Sequence, residues 1–279
     1  MKRLSIIISS LLVILSLVSC KKDPIPIQPD QYYLHLSHTR TDSNPQMDSV
    51  VEQIDYSNFD MLWLGGDLAY LTSDDDETLS NVNSILDLGN QNTLWSLGNH
   101  DYTNMNLIRD YTQRPAYYSY FKNKITFVVL DTQDSISNIV GNQKNMVYSV
   151  MDTIQESTRL VLLHHKLIWM YDNPILEPQI PVISNASLGD CFYCINPNNF
   201  YIDIYPRLVE THNKGIEVIC IGGDIGFNAN EFEYITPEGI IFLASGIKWG
   251  DPQNKALLFH HDLNLNSLTW EYKLTTDLE

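Results

Sequence analysis

Two apolar stretches that end in glycine deliver side chains able to do chemistry. Asp60-Met61-Leu62-Trp63-Leu64 runs into Gly65-Gly66-Asp67, and further on Thr93-Leu94-Trp95-Ser96-Leu97 runs into Gly98-Asn99-His100-Asp101. Each reads as a short buried strand with a polar side chain at its carboxyl end, where open α/β sheets build their sites. Gly98 closes the second strand where the backbone must approach a neighbour closely. Carboxylate, amide oxygen and imidazole are donors for hard or borderline divalent ions, and a histidine beside them can move a proton.

Those side chains need a frame that gathers several strand ends. Strands are expected at residues 31–36, 60–64, 93–97, 125–130, 159–163, 216–221, 239–244 and 256–261, with a last hairpin partner near 267–274. Helices are expected at 45–56, 74–88, 104–112, 142–156 and 203–213. Ser73-Asp74-Asp75-Asp76-Glu77 places acids at the positive end of the second helix, which makes it a cap rather than a calcium loop. Gly89-Asn90 is the matching stop signal. Strands alternating with helices predict mixed sheets covered by helices, with no internal repeat.

The chain opens with Met1-Lys2-Arg3, an apolar run from Leu4 to Val18, then Ser19-Cys20. A basic start, a short apolar segment and a small residue at the cut form a secretory signal. Leu17-Val18-Ser19-Cys20 looks like a bacterial lipobox, which implies cleavage before Cys20 and a lipid on its sulfur; an ordinary signal with an incidental cysteine is the alternative. Residues 20–30 then read as a tether, and an outer-membrane address in the cell envelope is expected. Removing 19 residues from 279 leaves 260, enough for one large domain over 31–279. The removed part carries two of the 17 Lys and Arg and none of the 34 Asp and Glu, so the remainder balances at −19. Such acidity argues against nucleic acid, whose binding draws on clustered Lys and Arg. An anionic substrate must instead meet a metal or a placed arginine.

Together, in this order, the two glycine-ended motifs resemble the calcineurin-like metallophosphoesterase superfamily. The likeness extends over nearly the whole span from Tyr32 to the last strands, and includes Tyr117-Tyr118-Ser119-Tyr120-Phe121, Leu130-Asp131 and a helix opening near Gln143. It implies a four-layer αββα sandwich of two mixed sheets with the site at the strand ends on one edge. It also implies five blocks along the chain: D-x-H, G-D, G-N-H, a lone His, and G-H-x-H. Asp67 falls at the metal-bridging aspartate and Asn99 at an amide ligand. His100 falls where the family contacts the phosphate or protonates the leaving group. In the fourth block, Leu162-Leu163-His164-His165, His164 is expected as the ligand and His165 as its support.

The first and fifth blocks depart from the pattern. His38-Thr39-Arg40 stands for D-x-H, and Gly223-Asp224-Ile225-Gly226 for G-H-x-H. Asp67, Asn99, His164 and Asp224 thus remain as a four-ligand set for one divalent ion, Mn, Mg, Zn or Fe. The other position gains Arg40, which stays protonated and cannot ligate. The expected activity is hydrolysis of a phosphomonoester or phosphodiester on a small or glycan-linked anionic substrate, with Arg40 as a fixed positive charge and His100 and His38 as proton carriers. The alternative is a lapsed phosphatase kept as a surface lipoprotein that binds an anionic or glycan ligand, or an altered chemistry on a carboxylate or sulfate.

From Lys166 to Phe200 the chain is rich in Pro and Asn with little periodicity. Beginning beside His164, it is expected to be a specificity lid, with Trp169 and Tyr171 either stacking a sugar or base or simply filling core. Cys191 and Cys194 inside it suit a local disulfide in an oxidising envelope. Cys220 reads as an inert core thiol, His260-His261 as edge or turn residues, and Asp131 and Asp134 as cleft-lining rather than ligands.

Overall fold

In this computed structural model the described residues are 27–278. The signal segment, Cys20 and most of the tether lie outside them. Among the described residues eleven strands pair into two mixed sheets. The first sheet contains β1 (Gln31–Leu36), β2 (Met61–Leu64), β3 (Thr93–Trp95), β10 (Lys255–Asp262) and β11 (Ser267–Leu274), in the order β11-β10-β1-β2-β3. The second contains β4 (Tyr118–Lys122), β5 (Ile125–Val129), β6 (Arg159–His164), β7 (Glu217–Gly222), β8 (Glu231–Ile235) and β9 (Ile241–Ser245), in the order β4-β5-β6-β7-β9-β8. β1, β2 and β3 run parallel, as do β5, β6, β7 and β9, while the outer strands run antiparallel. All parallel strands therefore point their carboxyl ends to one edge, and β1 climbs from Gln31 at the opposite edge.

The sheets face each other over an aromatic core that includes Tyr33, Trp63, Phe127 and Phe259. The helices α1 (Ser49–Gln53), α2 (Asp76–Leu86) and α3 (Met105–Thr112) cover the outer face of the first sheet. On the second sheet α4 (Gly141–Thr153), the short α5 (Ile180–Ile183) and α6 (Tyr205–Asn213) do the same. The result is the four-layer αββα sandwich. Strands such as β6 are buried along their whole length, so they show continuous apolar runs rather than alternation. Among the described residues no helix is long and apolar enough to cross a membrane.

Most elements fall where the sequence places them. The acids before α2 do form its cap: the Asp75 carboxylate accepts the Thr78 N–H at 2.7 Å. The helix stops earlier than Gly89, at Asp87, whose φ of 46° ends it in the left-handed region. Two edge strands, β4 and β8, were not expected as strands; β8 exposes its glutamates on one side of an otherwise alternating run. His260 and His261 lie within β10, an interior strand rather than an edge or turn, with the His261 ring buried against the Tyr33 hydroxyl at 2.9 Å.

Candidate active site

Where the two sheets meet at the carboxyl edge, glycines let their backbones touch. A Cβ on Gly65 would lie 2.9 Å from the Gly223 Cα, closer than real Cβ atoms come. Buried Ser37, just past β1, stitches the joint: its hydroxyl is 2.6 Å from the Gly223 carbonyl and 2.5 Å from that of Ser245. The loop after β2 then turns through Gly66 (φ 92°) and Asp67 (φ 56°). Left-handed backbone at a non-glycine residue costs on the order of 1 kcal/mol or more and gathers at functional sites. Here it aims the Asp67 carboxylate across the joint toward Asp224.

Asp101 holds that turn. Its carboxylate accepts the N–H groups of Asp67 (2.8 Å), Leu68 (3.1 Å) and Gly98 (2.7 Å), and also the Thr72 hydroxyl. Burial and the nearby Asp67 push its pKa up, yet three N–H donors bonded to one carboxylate call for the ionised form. The His100 N–H in turn donates to Asp67 at 2.9 Å. Asp101 closes the Gly98-Asn99-His100-Asp101 motif, and its role shows only once the turn at Asp67 is folded beside it.

His165, and not His164, stands between the carboxylates. Its Nε2 is 3.6 Å from an Asp67 oxygen and 3.9 Å from an Asp224 oxygen, buried and without a hydrogen-bond partner. The Gly65 carbonyl, which only accepts, fixes the proton on Nδ1 at 2.7 Å. His164 points the other way, with Nδ1 on the Lys166 carbonyl at 2.8 Å. Pleat parity explains the exchange. Leu160 and Leu162 pack outward under the helices and take His164 with them, while Val161 and Leu163 face the core between the sheets, as does His165. The expected ligand is therefore misplaced by one residue: His164 does not reach the group.

A cavity of about 190 Å³ opens over this joint, lined by Asp67, Asn99, His100, Asp224, His38 and Arg40, with loop residues at its rim. All six are site residues expected for ligation, proton transfer or charge, and the fold brings them together. His100 donates Nδ1–H to the Tyr70 carbonyl, so Nε2 is its nitrogen without that bond. His38 has both nitrogens engaged: Nδ1–H donates to the Ile247 carbonyl at 2.9 Å, and Nε2 accepts the Arg40 Nε–H at 3.3 Å. Burial pushes its pKa down to about 4 against the pull of Asp67. A neutral ring with no free nitrogen is a support for Arg40, not the proton carrier expected. The Arg40 guanidinium also lies 5.5 Å from the centre of the Phe227 ring, and among the described residues it has no carboxylate partner.

The charges at the joint want a cation. Burial raises Asp224 to about 6, against the pull of His165 and with the help of Asp67. Burial works on Asp67 as well, but His165, His100 and His38 outweigh it and hold that carboxyl below its usual range. Among the described residues no three His, Cys, Asp or Glu side chains form a ready-made metal cluster. A looser set of donors is present around His165. Metal bonds of about 2.1 Å put adjacent donors roughly 3–4 Å apart, and the two His165 spacings lie in that range. Its orphaned Nε2 is the donor such an ion would take, beside Asp67, Asp224 and the Asn99 amide.

The long loop after β6 reaches the site by a different part than expected. Trp169 is fully buried, stacked on Phe232 and Phe242 at 5.1 and 5.0 Å, and Tyr171 packs against the same core. Asn185, Ala186 and Tyr193 line the cavity instead. The Cys191–Cys194 disulfide is present, and Cys220 is buried with its thiol pKa pushed up. Asp131 lies outside the lining, accepting the Tyr102 hydroxyl at 2.9 Å. The cavity does not include Asp134 either.

Comparison with known proteins agrees with this architecture. A family model described as calcineurin-like phosphoesterase matches residues 34–222. No match to the chain was found among curated proteins. Among solved structures the chain is similar to a dimetal phosphatase from Danio rerio, with TM-score 0.55 and 11% identity over 88% of this chain and 96% of that one. It is also similar to a Haemophilus influenzae NAD nucleotidase (TM-score 0.41, 13% identity, 88% of this chain and 50% of that one). A third is a Thermus thermophilus 5'-nucleotidase precursor (0.42, 12%, 88% and 54%). The chain spans about half the length of the two nucleotidases.

Proposed function

From its membership of the calcineurin-like phosphoesterase family, to which this chain belongs as a phosphoesterase-type hydrolase, we propose that it cleaves a phosphate ester with one divalent ion and Arg40. The family generally uses divalent metal ions. Here Asp67, Asn99, His165 and Asp224 would hold one, Mn, Zn, Fe or Mg. Such an ion lowers the pKa of water and neutralises ester oxygens. Arg40 lines the same cavity and would supply the positive charge of a second ion, its fork of N–H groups suiting two phosphoryl oxygens. His38 and Phe227 hold it there, which leaves no reorganisation to be done as negative charge grows. His100 protonates the leaving oxygen through Nε2, for which the ring must carry both protons. Asp101 keeps the Asp67 turn in place.

The observation that carries this is the orphaned His165 Nε2 between two buried carboxylates, which themselves line a cavity shared with an uncompensated guanidinium. Metal analysis of the purified protein tests it: one tightly bound equivalent per chain is expected, and two would refute the role given to Arg40. A screen of phosphomonoesters and phosphodiesters, with Asp67→Ala as control, separates the enzyme from a lapsed relative that only binds an anionic or glycan ligand. We further place the protein in the cell envelope on a lipid at Cys20; fatty-acid labelling that survives Cys20→Ala would refute this.

A further inference from the structure

The turn that carries Cys191 and Cys194 is held more firmly than a surface loop needs. Lys166, fully buried, donates its ammonium protons to the Phe192 carbonyl (2.6 Å) and to the Asn196 side-chain oxygen (3.3 Å), with no carboxylate in salt-bridge range among the described residues. Asn196, itself 1% exposed, donates to the Gly189 and Cys191 carbonyls at 3.2 and 2.9 Å. The disulfide closes the tip. Burying an ammonium costs free energy, and here its bonds fix the backbone of the turn. What the turn presents is Tyr193, 64% exposed and on the cavity rim.

Phe227 stands on the same rim, 46% exposed. Its N–H is caught by the Asn185 side-chain oxygen at 2.8 Å, and the His38 ring meets its own edge-on at 4.6 Å. Two exposed aromatic residues on anchored backbone thus border one cavity. At about 190 Å³ the cavity is smaller than the roughly 300–1,000 Å³ of ordinary small-molecule pockets. It can take the phosphoryl end of an ester, while the organic part lies at the rim, against the rings.

We infer that Tyr193 and Phe227 form the leaving-group subsite and select esters whose organic part is a planar aromatic group, an aryl ring or a nucleobase. The inference rests on the phosphoesterase reading for the phosphoryl end, but the ring contact itself needs neither metal nor turnover. An aromatic side chain stacks any flat ring without hydrogen-bond readout, which sets the class and leaves its members open. Glycerol phosphate, which has no flat face, gains nothing comparable.

Two measurements on the whole protein test it. With metal present, kcat/KM is compared for phenyl phosphate, adenosine monophosphate and glycerol phosphate in wild type, Tyr193→Phe and Tyr193→Ala. The preference for the planar esters over glycerol phosphate should fall about tenfold or more in Tyr193→Ala, through KM, and be kept in Tyr193→Phe. Whichever planar ester shows the larger loss identifies the source. With metal removed, binding of phenol and adenosine is measured by calorimetry, and Tyr193→Ala should weaken it. An unchanged ester preference, or planar ligands that bind Tyr193→Ala as well as wild type, overturns the subsite. Absence of turnover on every ester with Tyr193-dependent binding intact would fail the hydrolase instead and leave the subsite standing.

Discussion

The neighbouring histidines His164 and His165 give the most informative perturbation. Both rings are fully buried, and each has Nδ1 on a backbone carbonyl, at 2.8 Å to Lys166 and 2.7 Å to Gly65. Each variant is therefore referred to its own metal-free stability, because His165 also faces two buried carboxylates and His164 faces none. Only His165 reaches both Asp67 and Asp224. Losing a group that merely orients a ligand weakens a metal site about 10–100-fold, so losing a ligand should cost at least about 100-fold. With ion at 100 times the wild-type Kd, mass action adds about 2.7 kcal/mol to wild type and to His164→Ala. At the same concentration His165→Ala is only half saturated and gains about 0.4 kcal/mol. In a domain of this size the gap is roughly 5–9 °C in the metal-induced rise of Tm. Thermal unfolding with and without Mn or Zn, backed by titration calorimetry, reads it. A His164→Ala protein that loses the metal response while His165→Ala keeps it would refute the assignment.

Further outcomes follow from the same geometry. Arg40→Ala should lower kcat by about 10²–10³, as loss of a preorganised donor does, while metal content stays at the wild-type value; co-loss of metal would contradict its placement. Asp101→Ala strips three buried N–H groups of their acceptor and should cost about 3 kcal/mol or more in urea unfolding, since each orphaned donor is worth roughly 1–3. Stability should fall on acidification in part through His35, whose pKa burial pushes down to about 3. The unfolded chain protonates this ring below about 6.5 and the folded one does not, so stability is full above that value and declines toward pH 3. Between pH 7 and pH 5 the loss is about 2 kcal/mol for this one ring, and His35→Leu should flatten that part of the profile.

Most of the fold could be read because its strands are short apolar runs closed by glycine and its helices carry their own caps. The convergence of Asp67, Asn99, His100, Arg40 and Asp224 was legible for the same reason: each ends a strand or follows one on the same edge. His165 was not. Every residue of β6 is buried, so nothing in its pattern says which parity faces the partner sheet, and a one-residue error changes the face. The bond from Arg40 to His38 was equally hidden, because side-chain direction after a strand depends on a φ of 53° at His38. Trp169 misled for a third reason: a loop that starts at the site can send its first aromatic straight into the core.

The direction of β1 decides what this protein can meet. Its first residue, Gln31, and the mouth over Asp67 lie at opposite ends of a six-residue strand. At about 3.3 Å per residue, that is roughly 20 Å of height. If a lipid at Cys20 fastens the amino terminus to a bilayer, that height stands between the point where the tether joins the domain and the opening, and the tether's reach then sets how near a surface the opening can come.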